Sequence, residues 1–319
     1  MPAPVSVAAA AGVQDDTPAS KPQPTAAVTR ARRSWTGFWF LLPFLIVFLV
    51  VIIGPVLYAI WLSLFRDRLI GGTVFVGFDN YVRALTDGAF GSSLLRVIGY
   101  MAVQVPVMLL LSAGAALALD SARLHFAPVF RIVLFLPYAV PAVVAALMWG
   151  FIYGTKNGLW GDLGDITGLS LPDPLASNYV VVAIGNISTW EFVGFNMLIL
   201  YSSLKLVPTE RYEAATMDGA GWVRVIRHIK VPAMKNSLVL AVVFSVIGSF
   251  QLFNEPSVLK NLAPNSISST YTPNMYAYNL SFAGQQYNFA AAISILLGIV
   301  TMIVAALIQR AGRLGEEGR

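Results

Sequence analysis

The chain holds 319 residues, 57% of them hydrophobic and 12% charged, with a formal net charge of +5 and a mean hydropathy of +0.70. Average soluble domains carry about 25% charged residues, so this chain cannot cover itself with polar surface in water and reads as a bilayer protein. It has no cysteine, which excludes a disulfide scaffold and a thiolate metal site, and its two histidines, His125 and His228, are too few for a histidine metal cluster.

Residues Met1–Ser34 are rich in Ala, Pro and Thr without an apolar period, which predicts a disordered tail. The apolar stretch that follows, Gly37–Phe65, is far longer than the roughly 7–15 residues of a signal-peptide core. It is expected to stay in the membrane as a first span. A crossing helix needs about 20 apolar residues, and five more segments qualify: Leu94–Leu119, Val129–Tyr153, Tyr179–Leu204, Ser237–Phe253 and Phe289–Gln309. The fifth span is short and carries Ser245, Ser249 and Gln251. Pro55, Pro106 and Pro141 fall inside spans, where neighbouring helices can satisfy the freed backbone groups.

Lysine and arginine mark the cytoplasmic side of a membrane protein. With the N-terminus inside, 15 of the 21 fall on the inner side, six of them between the fourth and fifth spans. Both termini are therefore expected to be cytoplasmic.

The segment between those two spans, "YEAATMDGAGWVRVIRHIKVPAM" (Tyr212–Met234), is polar and glycine-punctuated in an otherwise apolar chain. It predicts two short helices with a corner. Pro208 stops the fourth span, Thr209 is placed to cap the next helix, and Glu210 and Glu213 are expected in its first turn, where the dipole favours negative charge. Ala214 and Ala215 are small and allow close approach. Gly219 and Gly221, which can take positive φ, make the corner. Trp222, Val225, Ile226 and Ile229 then form one apolar stripe, and Pro232 suits the first turn of a helix re-entering the membrane. An interfacial amphipathic helix accounts for the second helix alone. A docking knob for a cytoplasmic partner accounts for both.

Glu213-Ala214-Ala215, three residues, Gly219, nine residues, then Ile229-x-Val231-Pro232 resembles the EAA loop of bacterial ABC importer permeases, with Val231 where leucine is usual. The similarity runs from about Phe38 to Leu307. "RIVLFLPYAVPAVVAALMW" (Arg131–Trp149), "GFNMLIL" (Gly194–Leu200), "IGSFQLFNE" (Ile247–Glu255) and "FVGFDNYVRAL" (Phe75–Leu85) are similar to the maltose-type, sugar-importing branch. The resemblance implies an all-α polytopic fold of the type I importer class. Its layout is a cytoplasmic tail (1–34), a six-span permease domain (35–309) with its coupling loop (208–232), and a C-terminal tail (310–319). It also implies that the loop seats in a separate ATPase subunit. Two copies of that ATPase, holding ATP and Mg, would drive two homologous permease chains in the bacterial inner membrane. An extracytoplasmic sugar-binding protein would deliver substrate. The chain has no Gly-Lys dipeptide and so no phosphate-cradling G-x-x-x-x-G-K-[ST] loop. It is expected to be a non-catalytic subunit, with lipid and protein partners, no cofactor or metal of its own and no nucleic-acid partner.

The resemblance gives coupling roles to Glu213, Ala214, Ala215, Gly219, Ile229 and Pro232. For the substrate pathway the residues themselves suggest Glu191, the acidic residue well inside a predicted span, since an intramembrane ionisable group points to function. Trp190, Phe195 and Asn196 lie near it, and the fifth span adds Ser249, Phe250 and Gln251, with Asn254 and Glu255 at its outer end. Hydrogen-bonding groups beside flat apolar surfaces suit a sugar. Bonding between helices is the competing role for these polar residues.

A secondary transporter would show internal repeats, an enzyme clustered carboxylates or a His with Ser or Asp, and a channel a filter or charged ring. None of these patterns is visible. Glycerol phosphate or a phosphodiester is the alternative substrate class, but no arginine or lysine lies mid-span to receive a phosphate.

Overall fold

A computed structural model describes residues 36–68, 70–121 and 124–317. The expected disordered tail, 1–34, lies outside these residues. Two units divide the chain between Ile52 and Ile53. In the first, α1 (Thr36–Phe48) leads into a π-helical segment, Leu49–Ile53, whose last residue already belongs to the second unit.

The second unit opens with α2 (Gly54–Ser63), which carries Pro55 in its first turn, where a missing N–H costs nothing. A hairpin follows: β1 (Phe65–Arg68) pairs antiparallel with β2 (Gly72–Phe75), Phe65 opposite Phe75. On α3 (Asp79–Thr86), Asn80 is 1% exposed and its Nδ2 donates to the carbonyls of Ser63 at 2.8 Å and Phe65 at 2.7 Å. One amide thus satisfies carbonyls freed where α2 ends, and fastens α3 to the hairpin.

Helix α4 (Gly88–Leu119) starts earlier than the apolar run suggested, because Asp87 caps it by accepting from the Phe90 N–H at 2.9 Å. Its 32 residues reach about 48 Å. Pro106 lies inside it. The predicted third span is not one straight helix. Helix α5 (Ala127–Phe135), a 3-10 turn (Leu136–Ala139) and α6 (Ala142–Ile152) are bent by 99°. Pro141 has no N–H to continue a helix, and Val140 before it is extended (ψ 128°), as a residue preceding proline should be.

The remaining elements are α7 (Leu159–Thr167), α8 (Val180–Lys205), α9 (Thr209–Met217), α10 (Trp222–Val225), a π-helical segment (Ile226–Lys230), α11 (Val231–Phe250), α12 (Asn254–Leu259), α13 (Pro273–Phe282) and α14 (Tyr287–Glu317). Helix α14 continues well past the expected span end at Gln309. By length and hydropathy, Phe38–Ser63, Gly88–Leu119, Trp222–Leu259 and Tyr287–Gly312 can each cross a bilayer. Two bent pairs, α5–α6 and α8–α9, bring the number to six among the described residues.

Helices α4, α8 and α11 form the centre. Their middle is closed by Val105, Met108, Leu109 and Ala241, and one end by Ala116, Leu119, Met197, Leu200, Leu204 and Met234. Ser112 Oγ donates across the pair to the Val193 carbonyl at 2.9 Å, or to its own helix at Met108 at 2.8 Å. Such interhelical bonds contribute only about 0.6 kcal/mol each in membranes, so the close packing of these buried layers must carry most of the association.

Candidate functional site

The bend between α5 and α6 shapes the interior. It brings Tyr138 over Phe195 of α8, rings stacked at 4.7 Å with planes 15° apart. These rings form part of the wall of a cavity of about 260 Å³ among α4, α8, α11 and α12. Phe192 and Phe244 add apolar surface. Gln104, Ser188, Asn196, Ser249, Gln251 and Asn254 supply amides and hydroxyls, and Glu255 supplies a carboxyl. No lysine or arginine is among the lining residues.

Of the residues singled out from the sequence, Phe195, Asn196, Ser249, Gln251, Asn254 and Glu255 line this cavity together. Trp190, Glu191 and Phe250 do not. Trp190 packs edge-on against Trp149 at 5.9 Å, and Phe250 packs with Val97, Val246 and Leu297. Glu191 is buried behind the wall, its carboxyl adjoining that of Glu255. Glu255 lies near the end of the span Trp222–Leu259, yet it is buried. After a short break at Gln251–Phe253, α12 continues that span and packs against α6 and α8, so that Glu255 is enclosed and accepts from Ser188 Oγ at 3.4 Å.

At the other end of the helices, the segment 208–232 forms the expected two helices and corner, with corrections. Thr209 is the first residue of α9 and not its cap. Pro208 holds that position (φ −58°, ψ 140°), its ring having already set the extended geometry from which a helix starts. Glu210 alone is in the first turn, and Glu213 lies one turn further on, beyond the strongest dipole field. The second helix is not separate from the fifth span: α10, the π segment with Ile229, and α11 with Pro232 in its first turn run on without a break.

The corner is made by Gly219 (φ +72°), while Gly221 keeps negative φ as the cap of α10. The Ala220 N–H donates to the Ala215 carbonyl at 2.9 Å and the Gly219 N–H to Thr216 at 3.0 Å. This is the Schellman closure, which requires a left-handed residue at that position. Glu213 and Ala214 are exposed and Ala215 half-buried. Met217 and Trp222 stand out at 88% and 70% exposure, whereas Val225, Ile226 and Ile229 are half-buried. Trp222 thus leaves the stripe the spacing suggested.

Asp120, at the C-terminal end of α4, was not foreseen. Its carboxylate is 8% exposed and pairs with Lys230 Nζ at 2.7 Å and Lys205 Nζ at 3.1 Å. The signal was available: an aspartate at a helix C-terminus opposes the dipole and calls for cations nearby. Lys230 also lies 5.5 Å from the Tyr212 ring of α9. Burial, with the Asp120 charge adding to it and Lys205 opposing, pushes the Tyr212 phenol above its ordinary range.

Comparison with known proteins fits this architecture. The family described as binding-protein-dependent transport system inner membrane component matches residues 111–313. The diacetylchitobiose uptake system permease protein NgcF of Streptomyces coelicolor is 32% identical, over 95% of this chain and 92% of that relative. The trehalose/maltose transport system permease protein MalF of Thermococcus litoralis is 30% identical, over 90% of this chain and 96% of that one. In fold, the chain resembles a permease-sized chain of a bacterial ABC transporter involved in importing the acidic polysaccharide alginate. The TM-score is 0.77 at 18% identity, over 88% of this chain and 96% of the other. The type I importer permease fold expected from the sequence is therefore the fold found. On the family match and the near-full-length relatives, the chain belongs to the inner-membrane components of binding-protein-dependent transport systems.

Proposed function

We propose that this chain is the non-catalytic permease subunit of a carbohydrate importer, lining half of a pathway that a second homologous permease chain completes. The observation that carries the substrate class is the cavity: aromatic faces beside amides, hydroxyls and one carboxyl, without a basic residue among its lining. A sugar offers apolar ring faces to stack and hydroxyls to bond. A phosphate would call for arginine or lysine, so glycerol phosphate and phosphodiesters fit less well. The relatives' names, which mention diacetylchitobiose, trehalose or maltose, arabinooligosaccharides and lactose, point the same way.

Energy enters at the segment 208–232. Exposed Glu213, Ala214, Met217 and Trp222 give a small acidic and apolar surface of the kind that marks a protein contact. In this reading two copies of a cytoplasmic ABC ATPase bind ATP and Mg, seat this segment and close. The rigid helices turn that closure into alternating access. Reversing a 1:99 equilibrium takes about 5.5 kcal/mol, within reach of nucleotide-driven closure. The lysine and arginine bias supports a cytoplasmic side for the segment and both termini, and in this reading an extracytoplasmic binding protein delivers the sugar.

The test is uptake by proteoliposomes holding both permease chains, the ATPase and the binding protein. Labelled diacetylchitobiose, maltose and glycerol 3-phosphate would be offered with internal or external ATP. ATP-dependent entry of a disaccharide supports the reading. Entry of glycerol phosphate alone would replace the substrate class, and ATP-independent entry would overturn the importer itself.

A further inference from the structure

The polar insert leaves the helix bundle after Lys205, the last residue of α8, and rejoins it after Lys230, the last residue before α11. These two lysines close on one carboxylate, that of Asp120 at the end of α4. Both ends of the insert are therefore held to the same point, and that point belongs to a third helix. Lys230 is the tighter partner: its side chain is 13% exposed and its Nζ is 2.7 Å from Asp120 Oδ2, whereas Lys205 is 56% exposed, where solvent weakens an ion pair. The ring of Tyr212, on the first helix of the insert, lies against Lys230. Along the same helices, Ala116, Leu119, Leu200, Leu204 and Met234 pack as a buried apolar layer.

Helix ends explain why the cluster is not interchangeable with an apolar one. Asp120 and the carbonyl ends of α4 and α8 all present negative charge at this level, and the two lysines compensate it. An apolar plug would leave those helix ends uncompensated and free to separate.

We propose that Asp120 is a positioning residue for energy coupling: through Lys205 and Lys230 it clamps the base of the insert, so that displacement of α9 moves α4, α8 and α11 as one body. This rests on the reading of segment 208–232 as the ATPase contact. A loop held at only one end could dock and yet flex without transmitting the motion. Lys230 contributes most of the clamp and Lys205 fixes its orientation.

The chain has no cysteine, so a single Gly248→Cys, at a cavity-lining position with open space around it, reports access to the cavity. The full complex in proteoliposomes is labelled with an impermeant maleimide, with and without ATP and vanadate. Labelling is read on this chain while ATPase retention is measured in parallel. With Asp120 intact, nucleotide is expected to change the labelling rate about fivefold or more, the lower range of coupling between linked sites. Asp120→Asn leaves Lys230, a largely buried cation, unpaired and can weaken folding. The charge-free triple variant Asp120→Asn, Lys205→Met, Lys230→Met removes that objection. It is expected to fold and retain the ATPase, yet to show no nucleotide-dependent change. A wild-type response in the triple variant would overturn the clamp, and so would loss of the ATPase from it, which would make the cluster a docking element. No response with Asp120 intact would overturn the coupling reading beneath it, a result distinct from failure of the clamp alone.

Discussion

Gly194 of α8 lies against the backbone of Leu134 at the end of α5. A Cβ built there would collide with the Leu134 carbonyl and come within 2.8 Å of the Phe135 Cα. This contact seats the bend that carries Tyr138 onto Phe195. Gly194→Ala should therefore destabilise the protein by more than the 1–3 kcal/mol or so of ordinary overpacking, because backbone cannot yield as a side chain does. Gly185, on the same helix, is the control. Its added Cβ would meet Gln104 and Tyr100 side chains at 3.6 and 3.7 Å, ordinary contact, so Gly185→Ala should be neutral or stabilise by up to about 1 kcal/mol. Thermal unfolding in detergent separates the two. Equal melting temperatures would refute the close approach.

The corner at Gly219 makes a graded prediction. Space around it is open, so Gly219→Ala meets only the cost of left-handed backbone, about 1–2 kcal/mol. Gly219→Pro forbids that φ and also deletes the N–H that bonds Thr216. ATP-driven uptake should fall moderately in the first variant and be lost in the second. Retained uptake in Gly219→Pro would remove the corner from the mechanism.

The stacked pair over the cavity predicts a substrate effect. Phe195→Ala removes one face of the stack, worth about 0.5–1.5 kcal/mol beyond its buried area. The KM for sugar should rise several-fold while ATPase retention stays as in the wild type. A changed ATPase content with unchanged KM would make Phe195 a packing residue.

The sequence announced the long apolar helices and the Gly219 turn because each is written locally, in a run of residues or a single unstrained glycine. It was less clear where tertiary structure decides. Pro106 and Pro141 look alike in an apolar run. Pro106 is absorbed within α4, whereas Pro141, four residues after Pro137, breaks the chain by 99°. Glu255 follows an apolar segment and so looked like the outer end of a span. Only the packing of α12 against α6 and α8 buries it beside Glu191. Asp120 lay outside any motif, and its meaning comes from two lysines far along the chain meeting at one oxygen pair.

Glu213 offers the most direct measurement. It is exposed on α9 and makes no ion pair among the described residues, so Glu213→Lys should change stability by no more than about 0.5 kcal/mol. The chain would be co-expressed with its partner permease and ATPase, purified in detergent, and assayed for bound ATPase and for its own melting temperature. The account predicts ATPase bound to the wild type, largely lost from Glu213→Lys, with both melting temperatures alike. Equal ATPase recovery from the two would contradict it, and would leave Glu213 a solvent-facing residue with docking carried elsewhere.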